Sequence, residues 1–161
     1  PGKGSQFTVT LPLAAAAEPE QVDVLPEATF ADLAQMKVLV AEDHPTNRAV
    51  VSLILEPLGV QLTMVEDGRQ AVEAVERESF DLILMDIQMP VLDGLSATRE
   101  IRALEQALGL PRIRIIALSA NALPEHIAEA RAAGMDEHLA KPIRPEGLIA
   151  LLASTGHAQA A

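Results

Sequence analysis

The chain has 161 residues, enough for one ordinary domain plus an additional segment but not for two full-sized domains. Its formal net charge is -11 and its basic residues are scattered, which argues against direct binding to nucleic acid or to an anionic membrane surface. It contains no cysteine, which excludes disulfides and cysteine-based zinc sites, and no apolar stretch approaches the ~20 residues that span a bilayer. We therefore expect a protein without direct membrane contact, most simply in the cytosol.

The beginning of the chain differs in pattern from the rest. In residues 1–13, apolar side chains alternate with threonines after two glycines, which predicts a strand. Residues 14–35 carry five acidic residues, no basic ones and two prolines, without a sustained period, which predicts a linker. Apolar runs then alternate with amphipathic segments over 36–153, where we expect one domain, and 154–161 form a tail.

Strands and helices are predicted to alternate in this domain. The predicted strands cover 38–41, 60–65, 82–85, 113–118 and 135–140, and the helices that follow them cover 45–58, 68–77, a segment including 97–108, 124–133 and 145–153. Five strand-then-helix repeats imply an α/β fold with a parallel sheet and helices on both faces. Of the few topologies that right-handed crossovers allow, we expect the flavodoxin-like strand order 2-1-3-4-5.

The helices differ in how strongly they are expected to pack. In the first helix, Val50 and Leu53 belong to an apolar stripe predicted to face the core, and Pro57 predicts a distorted last turn. In the third helix, Leu108 is the last of the predicted inward residues. The fourth helix presents mostly alanine to the core and is therefore expected to be the most weakly anchored.

Polar residues stand where the predicted strands end. They are Glu42 and Asp43 after the first strand, Asp86 after the third, Ser119 at the end of the fourth and Lys141 after the fifth. Because ligands bind beyond the carboxyl ends of the strands in such sheets, we expect these side chains to converge. Three carboxylates in one pocket repel one another unless a cation intervenes, and Mg²⁺ prefers oxygen ligands of this kind.

Asp86 has two possible roles in such a pocket, as a metal ligand or as a nucleophile toward phosphorus as well. The charge on a phosphoryl group would then be offset by Mg²⁺ and the Lys141 ammonium, with the Ser119 hydroxyl and the Ala120 amide as further donors.

Four motifs together resemble the receiver domain of two-component response regulators. They are Glu42-Asp43, L-M-D-I-Q-M-P-V-L-D-G at 84–94, A-L-S-A-N-A at 117–122 and L-A-K-P-I at 139–143. The resemblance extends over about 36–153 and is greatest to receivers fused to hybrid sensor histidine kinases. Residues 1–13 are similar to the glycine-rich end and closing strand of a histidine-kinase ATPase domain, although the chain has no nucleotide-binding loops.

The resemblance implies a role for each residue of the site. Asp86 accepts a phosphoryl group from a phosphohistidine, and Lys141 and Ser119 bind its oxygens. Glu42, Asp43, Asp86 and the backbone carbonyl of Gln88 position Mg²⁺, which is the only cofactor expected. Activity of this chain would be limited to its own phosphorylation and dephosphorylation.

The same resemblance implies further roles around the site. Gln88 and Asn121 tune the loss of the phosphoryl group to water, and Ser119 acts in a conformational switch with the residue at position 138. The family usually carries an aromatic residue there, so the role of His138 in such a switch stays open. A half-buried strand histidine without a switching role is an equal alternative. His44 is a possible contact to metal or phosphate, and the Lys141-Pro142 peptide bond is expected to be cis.

The implied partners are the phosphohistidine domain of a kinase and a histidine phosphotransfer protein or domain, with a homodimer as a further possibility. The implied location is the cytosol, or the cytosolic end of a membrane-bound sensor kinase.

Alternative interpretations remain for the chain and for single residues. The alternatives to a phosphoacceptor receiver are a pseudo-receiver that works only by protein contacts and a Mg²⁺-dependent phosphatase of the haloacid-dehalogenase type, although such enzymes carry an acid where Gln88 stands. Taken alone, Glu42-Asp43 would cap a helix, and Asp93-Gly94 is interpreted as a turn. His126 and His157 are predicted on the surface.

Overall fold

The computed structural model describes residues 33–120 and 123–156. Within these residues strands and helices alternate along the chain, as predicted. The elements are β1 (Lys37–Ala41), α1 (Pro45–Leu55), a 3-10 helix (Glu56–Leu58), β2 (Gln61–Val65), α2 (Gly68–Arg77), β3 (Leu82–Asp86), α3 (Gly94–Leu108), β4 (Arg114–Ser119), α4 (Pro124–Ala133), β5 (Glu137–Ala140) and α5 (Pro145–Gly156).

The five strands form one parallel sheet in the order β2-β1-β3-β4-β5, which confirms the predicted flavodoxin-like topology. The order reverses between β1 and β3, which lie side by side at the centre. Ala41 pairs with Met85 and Asp86 pairs with Leu118, so these three strands end at the same edge. In a sheet of this order, that edge is where ligands bind.

Helices cover both faces of the sheet, again as predicted. Alternate residues of β3 point to opposite faces. Leu82 and Leu84 pack with α1 and α5, whereas Ile83 and Met85 pack with α2, α3 and α4. All four side chains are fully buried. Burial on both faces explains why β3 is a continuous apolar run that does not alternate with polar residues.

The buried face of α1 differs from the prediction. Val51 and Leu55 are fully buried, whereas Val50 is 36% exposed and Leu53 is 74% exposed. Apolar side chains lie on almost every side of this helix, so its periodicity did not identify the face that packs. The distortion expected from Pro57 is confirmed, because the α-helix ends at Leu55 and a 3-10 turn follows.

Two other helices test the predicted packing. In α3, Ala97 and Ile101 are buried as predicted, but Leu108 is 61% exposed because the helix ends there, beyond its contact with the sheet. In α4, the buried residues are Ala130 and Ala133, which confirms that alanine forms its inward face. Small side chains bury little apolar area, so α4 gains little stability from packing.

Some predictions concern residues near the ends of the described ranges. Leu33, at the end of the predicted linker, is 1% exposed and packs into the core beneath α1 and α5. At the other end, α5 continues past the predicted domain end at 153 to Gly156. The strand in 1–13, most of the linker, Asn121 and His157 lie outside the described residues. No helix within the described ranges is long and apolar enough to cross a membrane.

Candidate phosphoacceptor site

The structure brings the polar residues at the strand ends into one open cleft of about 420 Å³ at the carboxyl edge of the sheet. Its walls come from the segments that follow β1, β3, β4 and β5 and from the first turns of α4. The predicted residues that line it are Glu42, Asp43, His44, Asp86, Gln88, Ser119, Ala120 and Lys141. Four separate parts of the chain therefore contribute to a single site.

The Lys141 ammonium lies between two carboxylates at the centre of the cleft. Its Nζ is 2.7 Å from Oδ2 of Asp86 and 2.6 Å from Oε2 of Glu42. Burial lowers the pKa of Lys141, but the hydrogen bonds to Asp86 and Glu42 outweigh this and leave the pKa raised. The pKa of Asp86 is also raised, because its burial outweighs the opposing effects of Lys141 and of the Gln88 amide. The lysine is thus held as a cation beside the acid that it neutralises.

The Glu42 carboxylate is fully buried and both of its oxygens are engaged by the protein. Oε1 accepts hydrogen bonds from the main-chain nitrogen of His44 at 3.2 Å and from Nδ2 of Asn47 at 2.9 Å, and Oε2 faces Lys141. The next residue, Asp43, is exposed to the cleft. The adjacent acids therefore differ in their freedom to bind a ligand, and Asp43 is the more available.

The acids form a cluster suited to a metal ion. One carboxylate oxygen from each of Glu42, Asp43 and Asp86 can lie within 4.8 Å of the others. Hard divalent cations such as Mg²⁺ take oxygen ligands and keep several waters, which an open cleft permits. Since Lys141 supplies one positive charge against three carboxylates, the cluster fits such a cation electrostatically as well as by ligand type.

The turn after β3 is held tightly against the phosphoacceptor candidate. The amide of Gln88 donates to Oδ1 of Asp86 at 3.1 Å, and a Cβ added to Gly94 would lie 2.0 Å from the carbonyl oxygen of Asp86. Asp93, interpreted from sequence as part of a turn, caps α3 by accepting from the Ser96 amide at 2.8 Å. That hydrogen bond lowers the pKa of Asp93. Only glycine at position 94 allows α3 to begin this close to Asp86.

The wall formed by β4 and β5 contains the two residues that complete the predicted constellation. Ser119 is 7% exposed at the end of β4, and its carbonyl oxygen accepts a hydrogen bond from the Lys141 amide at 2.8 Å. The expected cis peptide bond between Lys141 and Pro142 is present. A main-chain hydrogen bond thus connects the end of β4 to the residue that follows β5.

Three histidines lie near this site in different environments. His138 is half-buried in β5, and its Nε2 is buried without a hydrogen-bond partner within the part of the chain that the structure describes. His126 was predicted on the surface, but it is half-buried and lines the cleft, because the first turns of α4 close one side of it. His44 is exposed and caps α1 by accepting from the Thr46 amide at 3.3 Å.

Two residues of α1 contribute to the site although the sequence did not single them out. Asn47 holds the Glu42 carboxylate, and Arg48 donates to the carbonyl oxygens of Glu42 and Asp43 at 2.8 Å each. Their position in the first turn of a helix that directly follows the acid pair was the available signal. It was weak, because polar residues in a first turn are more often solvated or engaged in capping.

Residues 38–153 match the family model described as the response regulator receiver domain. The chain belongs to this family. The match begins in β1 and ends in α5, so it contains every strand of the sheet and every polar residue of the cleft. As a receiver domain, the chain has the fold expected from its resemblance to two-component regulators.

Relatives and solved structures agree with this assignment. The chain is 48% identical over 109 residues to the peroxide stress-activated histidine kinase mak1 of Schizosaccharomyces pombe, a match that covers 66% of this chain and 7% of that protein. It is 45% identical to the receiver domain of the sensor histidine kinase PA1611 from Pseudomonas aeruginosa PAO1, crystallised with a magnesium ion coordinated in the active site cleft. That match has a TM-score of 0.69 and covers 76% of this chain and 98% of the other.

A second similar structure includes a partner. It is the co-crystal structure of the Saccharomyces cerevisiae histidine phosphotransfer signaling protein Ypd1 and the receiver domain of its downstream response regulator Ssk1. The matched chain is 28% identical with a TM-score of 0.76, and the match covers 79% of this chain and 92% of that one. The chain spans about a tenth of the length of the full-length histidine kinases that it resembles.

Proposed function

We propose that this receiver accepts a phosphoryl group on Asp86 from a phosphohistidine, with the help of Mg²⁺, and either relays it or signals through it. The observation that carries this proposal is the position of the Asp86 carboxylate. It lies at the end of the central strand, 2.7 Å from the Lys141 ammonium and beside two further acids. A carboxylate so placed is an ionised nucleophile with a cation in contact, which is what attack on an anionic phosphoryl group needs.

The transfer step follows from this geometry. A carboxylate oxygen of Asp86 forms a bond to phosphorus as the phosphorus–nitrogen bond of the donor breaks, and the electron pair of that bond remains on the donor imidazole. Lys141 stabilises charge on the phosphoryl oxygens, and the Ser119 hydroxyl and the Ala120 amide are further donors on the same wall of the cleft. Transfer needs no general base, because the carboxylate is already deprotonated.

The residues that would hold Mg²⁺ are Asp43 and Asp86, with the backbone carbonyl of Gln88. Glu42 would support the metal indirectly, because its Oε1 accepts two hydrogen bonds and its Oε2 forms an ion pair with Lys141. A bound Mg²⁺ supplies positive charge to the phosphoryl oxygens. The magnesium ion in the cleft of the PA1611 receiver, which is 45% identical to this chain, supports this assignment.

The proposed context is a hybrid histidine kinase. The full-length relatives are histidine kinases many times longer than this chain, and a similar receiver structure contains the phosphotransfer protein Ypd1. We therefore assign a kinase phosphohistidine domain as donor and a histidine phosphotransfer domain as acceptor, both in the cytoplasm. Residues 1–13 and 14–35 would be the end of the kinase ATPase domain and the linker to the receiver. A homodimer is not required for this chemistry.

Phosphorylation is proposed to be sensed at the wall formed by β4, α4 and β5. Ser119 would be drawn toward the phosphoryl group. The side chain of His138, on the adjacent strand, would then change its position as the space next to it changes. The weak packing of α4 on alanine residues supports a shift of this helix. Gln88 and Asn121 are assigned to control of phosphoryl loss.

The decisive experiment is phosphorylation by a small donor. Wild type, Asp86→Asn and the control Asp81→Asn are incubated with acetyl phosphate and Mg²⁺, and the added mass is measured by intact-protein mass spectrometry. Asp81 is a matched control because it lies just before β3 at the opposite edge of the sheet, where it accepts a hydrogen bond from the Lys37 amide. We expect labelling of wild type and Asp81→Asn only. Labelling of Asp86→Asn to the same extent would refute the proposal.

Two further assays, turnover of a phosphomonoester and Mg²⁺ binding, separate the alternatives. Sustained turnover of a phosphomonoester would indicate an aspartyl phosphatase, but Gln88 stands where such enzymes of the haloacid-dehalogenase type carry their acid. Absence of both Mg²⁺ binding and labelling would indicate a pseudo-receiver that works only through protein contacts.

A further inference from the structure

The side chain of Arg48 connects three parts of the rim of the phosphoacceptor cleft. One guanidinium nitrogen, Nη1, donates to the carbonyl oxygens of Glu42 and Asp43 at 2.8 Å each. The other, Nη2, lies 2.7 Å from the carboxylate of Glu66, just after β2. The Arg48 side chain is 18% exposed, so most of it is buried against the loop that it holds.

These contacts fall on the segment where the chain leaves the sheet. Glu42 and Asp43 lie between the end of β1 and the start of α1, so the ladder of β1 no longer fixes them. The Glu42 amide still donates to Val65 of β2. The carbonyl oxygens of Glu42 and Asp43 receive their hydrogen bonds from Arg48. A planar guanidinium can satisfy two adjacent acceptors and so fix the orientation of two consecutive peptide groups.

We propose that Arg48 is a positioning residue that sets the metal affinity of the cleft through the backbone of Glu42 and Asp43. The proposal rests on the proposed function, because it concerns the Mg²⁺ that phosphorylation would use. Asp43 is exposed, and its carboxylate direction therefore depends on the peptide groups on either side of it. Arg48 fixes these peptide groups, and Asn47, the residue before it, fixes the Glu42 carboxylate.

The ion pair between Arg48 and Glu66 is not what positions the metal ligands. The Glu66 side chain is 66% exposed, and an ion pair at such a site contributes little because water and salt screen it. Of the two carbonyl contacts, the one with Glu42 is partly buried and the one with Asp43 is exposed, and together they join one guanidinium nitrogen to two consecutive peptide groups. Glu66→Gln therefore serves as a matched control, because it removes the ion pair and leaves both carbonyl contacts in place.

Positioning and simple electrostatics predict opposite results for Arg48. Removal of a positive charge near a cation site strengthens cation binding by Coulomb's law. Removal of a group that orients the ligands weakens it, typically by about 10-fold to 100-fold when the group lies behind a metal ligand. The sign of the change in affinity therefore distinguishes the two effects.

The test is isothermal titration calorimetry of Mg²⁺ into four proteins: wild type, Arg48→Met, Arg48→Lys and Glu66→Gln. Methionine keeps the length of the side chain without donors or charge, and lysine keeps the charge without the planar fork. We expect the dissociation constant to rise about 10-fold or more in Arg48→Met. It should rise less in Arg48→Lys, because one ammonium can satisfy only part of the geometry, and change little in Glu66→Gln.

A second measurement separates positioning from a general loss of structure. Circular dichroism and urea unfolding establish that each variant is folded under the titration conditions. A two-dimensional amide spectrum should show changes confined to residues 42–44 and their neighbours. If Arg48→Met is folded and binds Mg²⁺ as well as wild type or more tightly, the inference is wrong. If wild type itself binds no Mg²⁺, the proposed function fails and the inference fails with it.

Discussion

The central ion cluster makes a quantitative prediction for Lys141→Met. Nζ of Lys141 contacts both Glu42 and Asp86, and these two acids expose 0% and 9% of their side chains. Removal of the cation leaves two carboxylates close together in a largely buried site. Breaking a buried ion pair by removing one partner costs about 3–5 kcal/mol. Because the Lys141 side chain is itself 16% exposed, we expect the lower end, about 3 kcal/mol at pH 7 without Mg²⁺.

The cost should depend on pH with a defined sign. The pKa of Asp86 is raised by burial, and Lys141 opposes that rise. In Lys141→Met the pKa of Asp86 in the folded state rises further. Asp86 therefore binds its proton more tightly in the folded protein than in the unfolded protein. Such a group destabilises the fold above its unfolded-state pKa, and the penalty shrinks as pH falls toward that value. The difference from wild type should therefore be largest near pH 7 and smaller near pH 5.

Urea unfolding followed by far-ultraviolet circular dichroism measures this difference, since the chain has no tryptophan or tyrosine to serve as a fluorescent probe. Lys37→Met is the matched control, and we expect it to change stability by no more than about 0.5 kcal/mol. In an Asp86→Asn background, Lys141→Met should cost less, because one of the two stranded charges is already absent. A loss below about 1 kcal/mol, or a loss that does not vary with pH, would refute the argument that these three groups form a coupled buried cluster.

Four further outcomes are expected. Gly94→Ala should lower stability by at least about 1–3 kcal/mol in urea unfolding, because its new Cβ would lie 2.0 Å from the Asp86 carbonyl oxygen; an unchanged midpoint would contradict that contact. Arg102→Met should cost about 3–5 kcal/mol, since its buried guanidinium bonds Glu105 and Asp136, and a loss under about 1 kcal/mol would mean that the pair is not tightly coupled. Asp93→Ala should cost about 1 kcal/mol at neutral pH. Because hydrogen bonds lower the pKa of this cap, that difference should shrink as pH falls from the ordinary value of 3.8 through the lowered folded-state pKa, and a difference that does not shrink at all in acid would exclude a charged cap. Beryllium fluoride, which mimics the phosphoryl group, should change amide hydrogen exchange in α4 and β5 measured by mass spectrometry, and unchanged exchange there would contradict the proposed switch.

The strand pattern explains why the fold was predictable from sequence. Runs such as Leu82 to Met85 are apolar without alternation, which is typical of strands buried on both faces, and each is followed by a helix-length segment. The polar residues that interrupt the pattern stand at strand ends. Once the strand order is chosen, these residues must meet at one edge, so the place of Asp86 and Lys141 could be derived before any side chain was positioned.

Helix orientation and long-range polar contacts were less accessible. Val50 and Val51 are equally apolar neighbours in α1, and which of them packs depends on how the sheet twists beneath the helix. The Arg102 guanidinium bonds residues 32 and 34 positions away along the chain, and no local pattern encodes such partners. His126 was misplaced for a similar reason, because its exposure depends on how α4 tilts over the cleft.

The four charged groups in and around the Asp86–Lys141 contact also define an electrical balance. Glu42, Asp43 and Asp86 against Lys141 leave two negative charges, the amount that one divalent ion cancels. Without the ion, an anionic phosphoryl donor would meet net negative charge from these groups, and a bound divalent ion would cancel that charge. We therefore expect the metal to bind before the phosphoryl donor. Uncharged molecules should enter the cleft equally well with and without the ion, so the charge of the metal would affect the binding of anions alone.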